Sequence, residues 1–168
     1  MTEALSVTEF QKIIRTLSDA HVEFIVVGGV AAIAHGSARL TRDVDVVYSR
    51  TDANIRSLVN ALEHRQPYLR GAPKGLPFTW DAETIRMGLN FTLTTSLGPI
   101  DLLGEVTGGG GYDALRPHAV MLEVFGRQCL VLDLPWLIRV KRAAGRPRDI
   151  EAIAELEALL EIRDSGRF

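Results

Sequence analysis

Residues 24–47 read FIVVGGVAAIAHGSARLTRDVDVV, and both the fold and the chemistry turn on them. The run Phe24-Ile25-Val26-Val27 is short, apolar and rich in β-branched side chains, the composition of a buried strand. Gly28 and Gly29 end it, and the small residues 30–34 are helix-compatible. The expectation is a strand, a tight diglycine bend and the first turns of a helix. Such a bend aims free backbone N–H groups at whatever lies above it and lets an anion approach closely, phosphate being the natural guest. Glycine at a turn also serves φ > 0 or close packing, and the bend alone does not choose between these uses.

Further along, Arg42-Asp43-Val44-Asp45-Val46-Val47 reads as a second strand. Side chains alternate along a strand, so Asp43 and Asp45 share one face while Val44 and Val46 share the other. Their carboxylates stand about 7 Å apart. On an inward face they repel each other and require a cation. Mg²⁺ takes oxygen ligands and is readily shared between carboxylates and substrate phosphates. A solvated edge strand explains Asp-x-Asp equally well in isolation; the diglycine bend ahead of it favours the metal.

Gly28-Gly29, a small-residue helix, Arg39-x-Thr41-Arg42-Asp43-x-Asp45 and a following hydrophobic strand together resemble the signature of the nucleotidyltransferase superfamily with the DNA polymerase β-like fold. The resemblance is strongest to small bacterial members, including abortive-infection type toxins and minimal nucleotidyltransferases. Gly29 falls within the family pattern but removes a serine hydroxyl that many members use on a phosphate. The resemblance implies a third carboxylate from a neighbouring strand, and Asp101 in Ile100-Asp101-Leu102-Leu103 matches that position. An acid between apolar strand residues needs a partner in any case.

The resemblance further implies a mixed α/β (α+β) sheet flanked by helices, with C-terminal helices. It implies transfer of a nucleoside monophosphate from an NTP such as ATP to a hydroxyl or phosphate acceptor, with release of pyrophosphate. Asp43, Asp45 and Asp101 would hold Mg²⁺ or Mn²⁺, two ions in all, and Asp101 would take the acceptor's proton. Gly28 and Gly29 would leave room for phosphates, with Arg39, Thr41, Arg42 and Lys141 as donors. Lys141-x-x-Ala-x-x-Arg146-x-Arg148-Asp149 resembles the late lysine and acidic motif of the family, in which Asp149 would orient Lys141 or the acceptor. Asp149 is equally accounted for as an acid at a helix N-terminus. The acceptor, whether tRNA, protein or small molecule, is left open, as is a cognate toxin or antitoxin partner. The alternative is a catalytically silent nucleotide-binding or toxin–antitoxin regulatory module of the same fold.

The rest of the chain frames this unit. With 168 residues, 46% of them hydrophobic, it is long enough for one domain with a substantial core. The expected plan is a domain over 1–163, with a helix over 7–20, a catalytic α/β core over 22–132, helices over 134–163 and a flexible tail over 164–168. Phe10, Ile13, Ile14 and Leu17 give the first helix one apolar face, capped by Ser6 or Thr8. Ile55, Leu58, Val59 and Leu62 repeat the pattern after Thr51 or Asp52 as N-cap. Residues 64–81, punctuated by Pro and Gly, read as a loop near the site. Its Arg65, Arg70 and Lys74 either touch a phosphate or acidic acceptor or are simply solvated.

Residues 90–103 read as a hairpin turning at Ser96-Leu97-Gly98-Pro99, and 119–132 as another turning at Gly126-Arg127. Gly108 to Gly111 read as a flexible loop rather than a phosphate cradle. His35 and His118 lack companions at ligand spacing and read more readily as structural than as metal-binding. Leu134, Leu137, Ile138 and Lys141 share a helix face; after Gly145-Arg146-Pro147, a second helix carries Ile150, Ile153, Leu156, Leu159 and Leu160 as a core stripe. A formal charge of −2 offers no general footprint for nucleic acid. One cysteine, Cys129, in an apolar run reads as a buried hydrophobe in a reducing compartment. No leader-like segment and no run near the ~20 apolar residues of a bilayer span is present, so a cytoplasmic location without membrane contact is expected.

Overall fold

The run 24–27 forms an interior strand of a seven-stranded mixed sheet. The structure, a computed structural model, describes residues 7–166; Ser6, the Thr8 side chain and residues 167–168 of the expected tail lie outside the described residues. In chain order the elements are α1 (Val7–Asp19), β1 (Phe24–Val27), α2 (Gly28–Ala34), β2 (Val44–Tyr48), α3 (Asp52–Leu62), β3 (Tyr68–Leu69), α4 (Ala82–Met87), β4 (Phe91–Thr94), β5 (Ile100–Leu103), α5 (Tyr112–Leu115), β6 (Ala119–Val124), β7 (Arg127–Leu132), α6 (Leu134–Ala144) and α7 (Ile150–Asp164). The strand order is β3-β4-β5-β2-β1-β7-β6. β1 runs antiparallel to β2 and parallel to β7, and β2 runs parallel to β5.

Continuous apolar runs mark the central strands because both of their faces are covered. All of β1 is buried, as are Val44, Val46, Val47 and Tyr48 of β2. The apolar face of α1 supplies Phe10, Ile13, Ile14 and Leu17 to the same core, and Phe10 stacks on Phe125. α1 packs with α3 and α3 with α4, while α2 packs with α6 and α6 with α7. Thr51 caps α3 by accepting from the Asn54 N–H. Buried Asn54 in turn donates to the carbonyls of Glu23 and Ser49, tying β1 and β2 to α3. Both expected hairpins form, and Cys129 is buried.

Four features differ from the sequence reading. Residues 64–81 are not loop throughout: Tyr68 and Leu69 pair with Leu93 and Thr94 as an edge strand. The short helix α4, capped by the Asp81 side chain, follows and was not expected. The run Gly108 to Gly111 is packed rather than loose, since a Cβ at Gly108 would lie 2.4 Å from Ala143 Cβ on α6. Its carbonyl also accepts from Arg139 Nε. Ile150 is 68% exposed and leaves the core stripe of α7 to Leu156, with Ile153, Leu159 and Leu160 partly buried. The interruption at Gly145 is as expected: it takes φ +65 as a left-handed C-cap, which glycine accommodates without strain.

Candidate active site

The backbone around residues 24–47 explains how the acids are presented. Gly28 adopts φ +66, and a Cβ there would lie 2.3 Å from Asp45 Oδ2. Glycine at this position is therefore required twice, by the backbone conformation and by the carboxylate that lies against it. At Gly29 a Cβ would lie 2.4 Å from Thr41 Oγ1, so the loop returning to β2 closes directly over the bend. Thr41 Oγ1 donates to the Asp43 carbonyl at 3.4 Å and steadies the approach to the first acid.

Parallel pairing of β2 with β5 then sets Asp45 directly opposite Asp101. One carboxylate oxygen from each of Asp43, Asp45 and Asp101 lies within 4.8 Å of the others. The buried Asp45 Oδ1 has no hydrogen-bond partner, and Asp101 Oδ1 faces the Arg70 guanidinium at 2.9 Å. Burial, then the charges of Asp43 and Asp101, push the Asp45 carboxyl well above the usual carboxylate range. Asp101 is raised too, first by burial and then by Asp43, against the opposing pull of Arg70. Such a set of crowded hard oxygens, with an unpartnered buried oxygen on Asp45 and a side-chain-free bend beside it, fits a divalent cation.

Arg70 is the site residue that sequence reasoning left undecided. It follows β3, and its N–H donates to the Thr92 carbonyl across the edge of the sheet. This aims the guanidinium inward, 2.9 Å from Asp101 Oδ1 and 3.5 Å from Asp43 Oδ2. The pairing of a two-residue strand made this placement, and no periodicity in 64–81 signals it.

The predicted nucleotide-binding residues divide between two clefts that meet at Lys141, with all four donors on the second. A cleft of about 300 Å³ is lined by Gly28, Asp45, Asp101, Glu105 and Lys141. A second of about 570 Å³ is lined by Gly29, Arg39, Thr41, Arg42, Lys141 and Arg148. Arg39 pairs with Glu151 at 3.7 Å, while Arg42 is exposed. Lys141 Nζ lies 3.5 Å from Asp149 Oδ1, and Arg146 Nε donates to Asp149 Oδ2 at 2.6 Å. Asp149 is buried, which on its own would raise its pKa; the Arg146 hydrogen bond and the Lys141 charge outweigh this and hold it below the usual value. Arg148 was not among the expected donors and joins the second cleft from the turn between α6 and α7.

His35 and His118 stand away from the acids. His35 Nε2 bonds the Leu132 carbonyl at 2.9 Å, and His118 stacks on Trp136 with ring centroids 3.9 Å apart. Neither belongs to a cluster of potential metal ligands among the described residues.

No protein-family model matches this chain, and no curated protein sequence matches it. Solved structures do. A Thermotoga maritima protein proposed to be a nucleotidyltransferase aligns over 91% of this chain and 95% of its own, with TM-score 0.57 and 14% identity. The lincosamide antibiotic adenylyltransferase LnuA, solved with lincomycin bound, aligns over 94% of this chain and 99% of its own, with TM-score 0.63 and 13% identity. The chain has the polymerase β-like nucleotidyltransferase fold. Within a nucleotidyltransferase fold, identity this low carries the architecture alone, and the reading of the site rests on its own geometry.

Proposed function

We propose that the protein is a divalent-cation-dependent nucleotidyltransferase. The observation that carries this reading is the convergence of Asp43, Asp45 and Asp101, from two strands and the loop between them and the diglycine bend, on one point. Mg²⁺ or Mn²⁺ held there, as one ion or two, would neutralise triphosphate charge and polarise the α-phosphate.

The remaining roles belong to the chain's own residues. Gly28 and Gly29 line the two clefts at the bend, where the phosphates would pass, and Lys141, Arg39, Arg42 and Thr41 offer donors along the adjoining cleft. Asp149 holds Lys141 in place. An acceptor oxygen attacks the α-phosphorus, forming a P–O bond as the bond to the β-phosphate oxygen breaks; pyrophosphate leaves with that electron pair. The acceptor's proton passes to the Asp101 carboxylate, which lines the same cleft as Gly28 and Lys141.

The acceptor carries a hydroxyl or a phosphate and is a tRNA, a protein or a small molecule. LnuA's antibiotic supports including the last. The sequence resemblance to abortive-infection toxins supports a toxin–antitoxin setting, with a cognate protein partner, in the cytoplasm. Among the described residues no helix is long and apolar enough to cross a membrane.

A second reading is favoured by one observation. Arg70 already lies against Asp43 and Asp101, as expected if the acids bind nucleotide or partner without turnover. Incubation with α-labelled NTPs, Mg²⁺ or Mn²⁺ and a panel of acceptors separates the readings. Label transferred by the wild type and lost in Asp43→Ala and Asp45→Ala supports the enzyme; nucleotide binding without transfer supports the silent module.

A further inference from the structure

The acidic cluster carries its own cation. Arg70 Nη2 lies 2.9 Å from Asp101 Oδ1 and Nη1 lies 3.5 Å from Asp43 Oδ2, while Asp45 is not among its ion-pair partners. Yet the guanidinium meets each acid through a single nitrogen rather than through paired N–H donors. Nη2 donates to the Leu93 carbonyl at 2.7 Å and meets Asp101 Oδ1 at 2.9 Å, while the buried Nε has no partner. An arginine seated for structural reasons normally engages a carboxylate through its planar fork, with paired N–H donors. Here the fork is only partly used, and the oxygen it neutralises is one a metal would need.

We propose that Arg70 is the resting counter-cation of this site and competes with a divalent ion for the Asp43–Asp101 edge. This rests on the cation-binding reading of the triad given above. In the metal-free protein Arg70 relieves the repulsion between the acids. An ion that needs Asp101 enters only as Arg70 lets go, whereas one bound mainly through Asp45 meets less opposition. The cost of displacement sets the cation concentration at which Asp101 is engaged. The anchor is compatible with release, because the bond to Leu93 and the backbone bond to Thr92 hold Arg70 at the edge strand without involving either acid.

The test is Mn²⁺ binding followed by electron paramagnetic resonance, without nucleotide, on wild type, Arg70→Gln and Arg70→Lys. Arg70→Gln should bind Mn²⁺ at least about tenfold more tightly, the equivalent of about 1.4 kcal/mol. Arg70→Lys keeps the charge and should stay within about threefold of wild type. The metal-free Arg70→Gln protein should also melt below wild type, with Mn²⁺ restoring it. Should Arg70→Gln fold only when Mn²⁺ is present, the proposal is supported; if it stays unfolded at saturating Mn²⁺, the proposal fails. Equal Mn²⁺ affinity in wild type and Arg70→Gln overturns the competition and leaves the proposed function standing. Absence of Mn²⁺ binding in all three proteins, even with ATP added, overturns both.

Discussion

Asp45 on β2 and Asp101 on β5 are register partners across a parallel strand pair. That pairing brings an acid from the Asp-x-Asp segment against one more than fifty residues later in the chain, and it makes the carboxylates interdependent.

Replacing either with asparagine should therefore remove the transfer activity while leaving the fold. Loss of one hard oxygen from a charge-stabilising set costs on the order of 100- to 1000-fold in rate. Asp43→Asn, Asp45→Asn and Asp101→Asn should each lower initial rates by at least that factor, with unchanged circular dichroism.

Asp45→Asn should at the same time stabilise the metal-free protein. Asp45 is crowded by Asp43 and Asp101, and its Oδ1 is buried without a partner. An amide removes the charge and adds donors to the neighbouring carboxylates. The expected gain is about 1 kcal/mol, or about 2–4 °C in Tm. Thermal melts in chelator, wild type beside Asp45→Asn, measure it.

Gly28→Ala should damage both fold and site. The added Cβ would meet Asp45 Oδ2 at 2.3 Å in a backbone held at φ +66. Denaturant melts should show a loss of about 1–3 kcal/mol, and cation affinity should fall because Asp45 is pushed aside.

Lys141 and Asp149 should separate in kinetics. Lys141→Met removes a donor shared by both clefts and should raise the KM for NTP. Asp149→Asn leaves that donor in the chain but loosens it, giving a smaller rise in KM. It should also lose about 1 kcal/mol of stability, because Arg146 and Lys141 lose their anionic partner.

Acid sensitivity near neutrality should trace to His35. Burial lowers its pKa, opposed by the bond to the Leu132 carbonyl, so the folded protein favours the neutral ring. The unfolded chain takes up a proton first as pH falls through the ordinary histidine value of 6.5. Stability from this residue is thus complete above that value and is lost progressively below it, down to the lowered folded pKa. Tm measured from pH 7.5 to 5 should decline less steeply in His35→Gln than in wild type.

The acids and the bend could be read in the sequence because their signals are local. Asp43 and Asp45 stand two apart on either side of Val44, Asp101 interrupts an apolar strand, and Gly28-Gly29 ends one abruptly. Arg70 carried no such signal. Its position depends on Tyr68 and Leu69 pairing with β4, a two-residue contact inside a Pro- and Gly-rich segment. The same holds for Gly108 to Gly111, where glycine composition suggested mobility but close approach to α6 supplies the reason for the small residues. Ile150 fits the helical period of α7 yet lies exposed at its first residue, where the helix has only just emerged from the turn at Pro147–Asp149.

The most direct test is an anomalous difference map from crystals soaked with Mn²⁺ and a non-hydrolysable NTP. The account predicts a peak bounded by the carboxylates of Asp43, Asp45 and Asp101, with the triphosphate running past Gly28 and Gly29 toward Lys141. Nucleotide bound elsewhere, with no peak between the three acids and Arg70 still against Asp101, would contradict it.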